Sequence, residues 1–257
     1  MAAVSHFSDI GFALDTSDEA GFGRSLAALT EHCVLQALDA QNKMCLIKDA
    51  SGAELHVGLR RGSGGEWEIQ AANPAFSGDG RTEVEIEADV SDAQYKSYEV
   101  TISAHFAGDR VPIVFELADP QTAAAFKPGA KISVDIAAFS TAPEIFADEA
   151  AYAKSQAKEK VSFASNYFIP TGTFFESAGG AMPDGSKQPA ATADFAGTVL
   201  KAELRTNALG NKFWWTPVKT YGGAVFDVVI DPASIETEPK PGAVVSGRFW
   251  LSARAAP

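Results

Sequence analysis

The chain spells one β pattern twice. Residues 114–120 read VFELADP, followed by QTAAAF and by KPGAKISVDIAAFS from Lys127. Residues 225–232 read VFDVVIDP, followed by ASIETEP and by KPGAVVSGRFWLSA from Lys240. A strand-like run, an Asp-Pro stop, a short connector, a Lys-Pro-Gly turn and a further strand recur at nearly equal spacing, the sign of a duplicated β unit. A Gly-containing turn precedes each VF[ED] strand, at Gly108 and at Gly222-Gly223. Each copy has room for about five short strands. A five-stranded barrel of the oligonucleotide/oligosaccharide-binding type closes such a set with few exposed edges. The shared residues are those of turns and core, so they report fold, and the differences between the copies mark where function would sit.

At 257 residues the chain exceeds the usual single-unit size. The predicted class is α+β and mostly β, in four segments. Residues 1–75 read as a βαββ-type module. Ile10–Leu14 is a strand candidate, and Thr16 with Glu19 matches a capping box. Phe22, Leu26, Leu29 and Cys33 then form one apolar helical stripe. Val34–Leu38, Met44–Ile47 and Leu55–Leu59 follow as strands, with a hairpin turn at Gly62, Gly64 and Gly65. Residues 76–140 form the first repeat, opening on a strand whose one face is Glu83, Glu85, Glu87 and Asp89. That ladder reads as a solvated face protecting an edge strand. In residues 141–192, Thr141 and Glu144 offer a second capping box. Val161–Phe168 and Gly172–Phe175 are strand candidates, and residues 177–193 read as a loop or linker rich in Gly, Pro and small residues. Residues 193–257 form the second repeat, with strands at 197–204, 212–219, 225–230 and 244–251.

Formal net charge is −12, which disfavours phosphate backbones and anionic membranes as general partners. The acidity is uneven, since residues 193–257 hold only six acids against seven bases. No apolar run reaches a bilayer-spanning length, and MAAVSHFSDIGF lacks the regions of a signal peptide. Cys33 and Cys45 are too few for a disulfide framework and read as reduced residues of a cytoplasmic protein. A disulfide between them would need an oxidising compartment. His32 beside Cys33 diverges from it around a helix, and no nucleophile elbow, Walker loop or H-E-x-x-H occurs.

The strongest local anomaly is Arg205, Lys212, Trp214, Trp215, Lys219 and Tyr221. Adjacent tryptophans on a strand point to opposite faces. One reading is a stacking platform with cationic flanks for single-stranded nucleic acid. The other is that one indole fills a barrel while its neighbour covers an interface between units. Glu54 and His56 share a strand face and form a possible divalent-metal pair.

The order strand–helix–strands, with Asp49-Ala-Ser-Gly52-Ala-Glu54-Leu55-His56, resembles the glyoxalase-like (vicinal-oxygen-chelate) module over residues 5–60. The resemblance implies a metal ligand near Glu54 or His56 and another near Ser8–Asp9, with His6 just upstream. The chain also resembles an uncharacterised bacterial protein family. That likeness rests on SHFSDIGF, on GAEL, and on a closing R-T-N…F-W…GG…D-V-V-x-D-P…P-x-P-G…S-G-x-F-W-L-S-A-R. It implies a bacterial cytoplasmic origin and supplies no catalytic residues. The leading expectation is a binding or interaction protein without a cofactor, meeting a protein partner or itself rather than nucleic acid or a membrane. The alternatives are a single-stranded nucleic-acid binder and a glyoxalase-like lyase or isomerase using a divalent metal.

Overall fold

A computed structural model describes residues 6–14, 19–30, 33–93, 95–174 and 189–256. The protein is mostly β, with two sheets. The first holds β1 (Val34–Ala37), β2 (Asn42–Lys48), β3 (Ala53–Arg61) and β4 (Trp67–Phe76), preceded by α1 (Glu19–Thr30). Its strands run as an antiparallel meander in chain order. The expected strand at Ile10–Leu14 is instead a helical turn, Ser8–Ile10, ended by Gly11 in the left-handed region. The Asp and Gly of SDIG favour that turn over extension. The capping-box Thr16 and His32 lie outside the described residues. Leu26 is buried and Phe22 and Leu29 pack beside it, as the stripe requires.

Cys33 and Cys45 are joined in a disulfide, Cα–Cα 5.4 Å, where the sequence reading expected free thiols. The strand pairing Leu35↔Cys45 brings the two residues together, a proximity the spacing of 12 does not announce. A cross-link closing a loop of that size restrains the unfolded chain by about 3 kcal/mol. Reduction, or Cys33→Ala with Cys45→Ala, should lower the unfolding free energy from urea titration by that amount; equal unfolding free energies with and without reductant would show that the bond carries no stability.

The second sheet contains β5 (Thr82–Asp89), β6 (Thr101–Phe106), β7 (Pro112–Leu117), β8 (Lys131–Ser140), β9 (Glu144–Phe146), β10 (Phe168–Ile169), β11 (Thr192–Val199), β12 (Glu203–Thr206), β13 (Lys212–Lys219), β14 (Val225–Ile230) and β15 (Val244–Ala255). Helices α2 (Glu149–Gln156) and α3 (Thr171–Phe174) lie between the repeats. Asp148, not Thr141, caps α2, accepting from the Ala151 N–H at 2.7 Å. Glu144 sits in β9. Among the described residues of the two strand candidates of this region only Phe168 lies in a strand, β10; Phe175 and residues 177–188 of the linker lie outside the described set.

Within each repeat the pairing is the same. β5 pairs β6 and β8, and β6 pairs β7; β11 pairs β13 and β15, and β13 pairs β14. The repeats differ from the expected self-contained barrels in how they close. β14 runs parallel to β8 and β15 parallel to β7, so eight strands form one ring through both copies. β8 and β15 also pair antiparallel across it. Strand β5 is therefore interior to the sheet, not an edge, and three of its four acids are held from neighbouring elements: Glu85 by Lys131, Glu87 by Ser103, Asp89 by Lys96.

The turns repeat in detail. Gly129 and Gly242 take φ of +82° and +86°, which a Cβ would strain. The Gly129 N–H donates to the Ile86 carbonyl at 2.8 Å, and the Gly242 N–H to that of Val199 at 2.9 Å. Asp119 and Asp231 each cap the short helical turn that follows them.

Alternation sets the core. Phe115, Ile136, Phe226, Val228, Phe249 and Leu251 fill one cluster inside the ring. On the outer face Ala137, Phe139, Phe213, Trp215 and Val229 pack with Leu26, Leu55, Val57 and Phe76 of the first sheet and its helix. The N-terminal unit therefore sits on the outside of the ring.

Candidate functional site

The alternation that points Phe115 and Leu117 inward turns Glu116 of β7 outward, and likewise turns Trp250 of β15 outward between Phe249 and Leu251. The Trp250 Nε1–H donates to Glu116 Oε1 at 3.0 Å. His6 lies over the indole, ring centroids 5.6 Å apart and planes at 13°. Its Nδ1 meets Asp9 Oδ2 at 3.2 Å. Asp9 is buried, and accepts from the Ser140 hydroxyl at 3.1 Å and the Asp231 N–H at 3.3 Å. Burial pushes the Asp9 carboxyl upward, against the lowering effect of His6 and these donors. Glu99, just before β6, and Asn73 of β4 complete the wall with Phe7, Ala72 and Pro74. Together they enclose a cleft of about 260 Å³ between the N-terminal sheet and the ring.

Its two carboxyl groups are unusual. Burial pushes Glu116 up to about 7; the Trp250 N–H opposes this and the charge of Glu99 adds to it. Burial also raises Glu99, with the Asn73 side chain opposing and Asp92 reinforcing the rise. A carboxyl whose folded value lies above its ordinary 4.5 holds a proton that the unfolded chain has already released. Stability then falls as pH rises from about 4.5 to about 7, by about 3 kcal/mol for Glu116, and levels off above. Urea unfolding between pH 5 and 8 should show this slope. Glu116→Gln should flatten it, leaving only the parts due to the other raised carboxyls, Glu99, Asp9 and Asp227.

The recurring sequence pattern supplies a comparison inside the molecule. VFE and VFD align Glu116 with Asp227 of β14, and both acids face outward beside a buried aromatic core residue. Asp227 also accepts an indole N–H, from Trp215 Nε1 at 2.7 Å. Two further donors cover it, the backbone N–H groups of Gly80 at 2.8 Å and Asp79 at 3.3 Å. Glycines at 78 and 80 allow that approach, since a Cβ on either would stand 2.2 Å or 2.8 Å from the carboxylate. Glu116 has no such cover. Its Oε2 accepts no hydrogen bond among the described residues, and the space beside it is the cleft.

The residues expected from sequence lie elsewhere and do not converge. Trp215 is 1% exposed, with the Arg205 guanidinium 3.7 Å from its ring centroid. Arg205 also donates to the Ser51 carbonyl at 2.8 Å and pairs with Glu203, so it clamps the N-terminal unit onto β12. Trp214 packs, partly buried, against the core inside the ring, and Tyr221 does the same. Lys212 and Lys219 occupy opposite ends of β13, roughly 23 Å apart at strand rise. Lys219 lines a separate cleft of about 480 Å³ beside α2.

Glu54 and His56 are together, His56 Nε2 to Glu54 Oε2 at 2.9 Å, and both are buried. The site is an ion-pair network: Arg254 Nη1 reaches Glu54 Oε1 at 3.0 Å and Lys48 approaches at 3.5 Å. Burial alone would raise Glu54, but the His56 hydrogen bond and Arg254 outweigh it and hold the carboxyl at about 2. No cluster of three or more His, Cys, Asp or Glu suited to a metal ion occurs among the described residues.

Sequence reading passed over Glu116, Glu99, Asn73 and Trp250. One signal was present: the [ED] of VF[ED] is the one shared position that belongs to neither turn nor core. No protein-family model matches this chain, and no curated protein matches it. No helix among the described residues is long and apolar enough to cross a membrane.

Proposed function

We propose that this chain is a binding protein for a small molecule, with the cleft between the N-terminal sheet and the ring as its site. One observation carries the reading. Glu116 and Asp227 occupy the same place in the two repeats, yet only Asp227 has its carboxylate covered by the chain itself. A concave space with a few convergent polar groups and a perturbed carboxyl is the ordinary form of a ligand site. The test follows the four indole N–H signals of ¹⁵N-labelled protein, with Trp250→Phe to assign one. A collection of small cationic, neutral and anionic compounds should contain at least one that shifts Trp250 saturably. If no compound moves Trp250, or all that bind move only Trp67, the cleft is not the site.

The matching pairings and turns of the two strand sets support descent from one duplicated unit. Self-association is a second reading, favoured by Val34 and Leu35, which are 70% and 57% exposed on the terminal strand of the first sheet. Light scattering across a concentration series tests it; a constant monomer mass rejects it. A cytoplasmic location is the proposal that the disulfide opposes, because such bonds persist in oxidising compartments. Thiol titration of the protein as isolated from its native cell decides: two free thiols favour the cytoplasm, none an oxidising compartment.

A further inference from the structure

The ligand class follows from what the second repeat does with its own acid. Asp227 is buried at the outer face of β14 and is met by three N–H donors: one indole and two backbone amides from the loop at 78–80. Glu116, at the matching place, receives only the indole donor among the described residues. The cleft leaves the remaining donors to be supplied from outside. Glu99 stands at the same cleft, and no lysine or arginine is among the described residues lining it. A buried carboxylate without a counter-charge or full hydrogen bonding is costly, so whatever enters gains by bringing positive N–H groups.

Resting on the reading of the cleft as a ligand site, we infer that its ligand is a small organic cation, an alkylammonium or guanidinium compound, seated with its N–H groups on Glu116 and Glu99. Three features of the walls agree with this class. Phe7, Ala72, Pro74 and the Trp250 ring give an apolar surface for the carbon part of the molecule. The volume of about 260 Å³ lies below the roughly 300–1,000 Å³ of drug-sized sites, so the molecule is short. The site is also fixed in place: the His6–Asp9–Ser140 chain holds the ring stacked on Trp250. A bare metal ion fits less well, because no cluster of three or more His, Cys, Asp or Glu suited to one occurs among the described residues.

The interaction is reciprocal with the carboxyl chemistry. A cation in the cleft favours ionised Glu116, so binding releases a proton near neutral pH. The groups that line the cleft around Glu116 are Glu99 from the segment before β6, His6 from the N-terminal turn with Asp9 behind it, and the Trp250 N–H from β15.

The experiment is calorimetry on the full chain with agmatine, putrescine and butylammonium as probes, beside the anions acetate and methanesulfonate and the neutral compound urea. Each is run in 50 mM and 500 mM KCl while the Trp250 indole signal is followed. At least one of the three cations should bind saturably, with proton release at pH 7 that differs between buffers of different ionisation enthalpy. Glu116→Gln should weaken it by about tenfold to a hundredfold, the range for losing a charge-assisted hydrogen bond. Glu236→Gln, in a separate pocket beside Phe146, should leave it unchanged. Binding that vanishes at 500 mM KCl and survives Glu116→Gln is general attraction to the acidic protein and overturns the inference. An anion or neutral compound that shifts Trp250 more tightly than any cation also overturns it, while the cleft stands as a ligand site. If no probe of any class moves Trp250, the site itself falls with it.

Discussion

Trp215→Ala is expected to destabilise the protein by about 3–5 kcal/mol, the range for emptying a large aromatic from a core. That is a large part of the roughly 5–15 kcal/mol that holds a protein of ordinary stability. The side chain joins three things at once. Its ring sits 6.3 Å from Phe76 of the N-terminal sheet and under the Arg205 guanidinium, and its N–H is one of three donors to buried Asp227. Deleting it leaves a cavity at the junction of sheet and ring, and leaves Asp227 with two backbone donors in a dry site. Trp215→Phe separates these effects: it restores most of the volume and loses only the indole donor, for about 1–3 kcal/mol. Trp214→Ala should cost less than Trp215→Ala, because Trp214 is only partly buried. Urea unfolding followed by circular dichroism gives all three values. If Trp214→Ala proves as costly as Trp215→Ala, the junction does not depend on Trp215 in this way.

Arg254→Ala is the second large expectation, also about 3–5 kcal/mol, the range for removing one partner of a buried ion pair. Arg254 ties the end of β15 to the first sheet through Glu54 and through the Phe76 carbonyl at 3.2 Å. Without it Glu54 stays buried with His56 and the more distant Lys48. The sign with pH is fixed by the depressed carboxyl. Glu54 stabilises the fold at pH above about 4.5, and that contribution is lost as pH falls toward about 2. Arg254→Ala should therefore flatten the acid limb of the stability curve as well as lower its plateau. The pair Arg254→Met with Glu54→Gln should recover much of the loss, since no charge is then stranded. A double variant as unstable as Arg254→Ala alone would place the damage in lost contacts rather than in the stranded carboxylate.

The legibility of the chain varied with the range of the interaction. Strands 212–219 and 225–230 were readable to the residue, because alternation and turn residues act within a few positions. Adjacent tryptophans had to face opposite ways, and they do: Trp214 inside the ring, Trp215 beneath the N-terminal sheet. What the spacing withheld was that Arg205 and Trp215 serve one internal junction, so that the cationic flank is already spent on Ser51 and Glu203. The R-T-N motif likewise proved to be a dock. Asn207 and Asn211 donate to the carbonyls of Ile10 and Gly11, nearly 200 residues away in the chain. The Ile10–Leu14 segment was misjudged because a four-residue turn signal, SDIG, outweighs a short apolar run.

Residue order alone specifies the two sets of strands, their shared turns and the placing of an acid between inward-facing residues in each copy. These are local consequences of dihedral preference and of period-two burial. The tertiary structure decided how the copies close and what becomes of the two acids. Closure depends on β8 finding β14 and β7 finding β15, parallel pairings between segments about a hundred residues apart, which no local pattern encodes. The acids differ for the same reason. The loop at 78–80 folds over Asp227 and gives it its donors, while the matching space beside Glu116 falls at the edge of β4 and stays open. Identical positions in the repeat thus hold a sealed carboxylate and one that borders a cleft, and only the course of a distant loop distinguishes them.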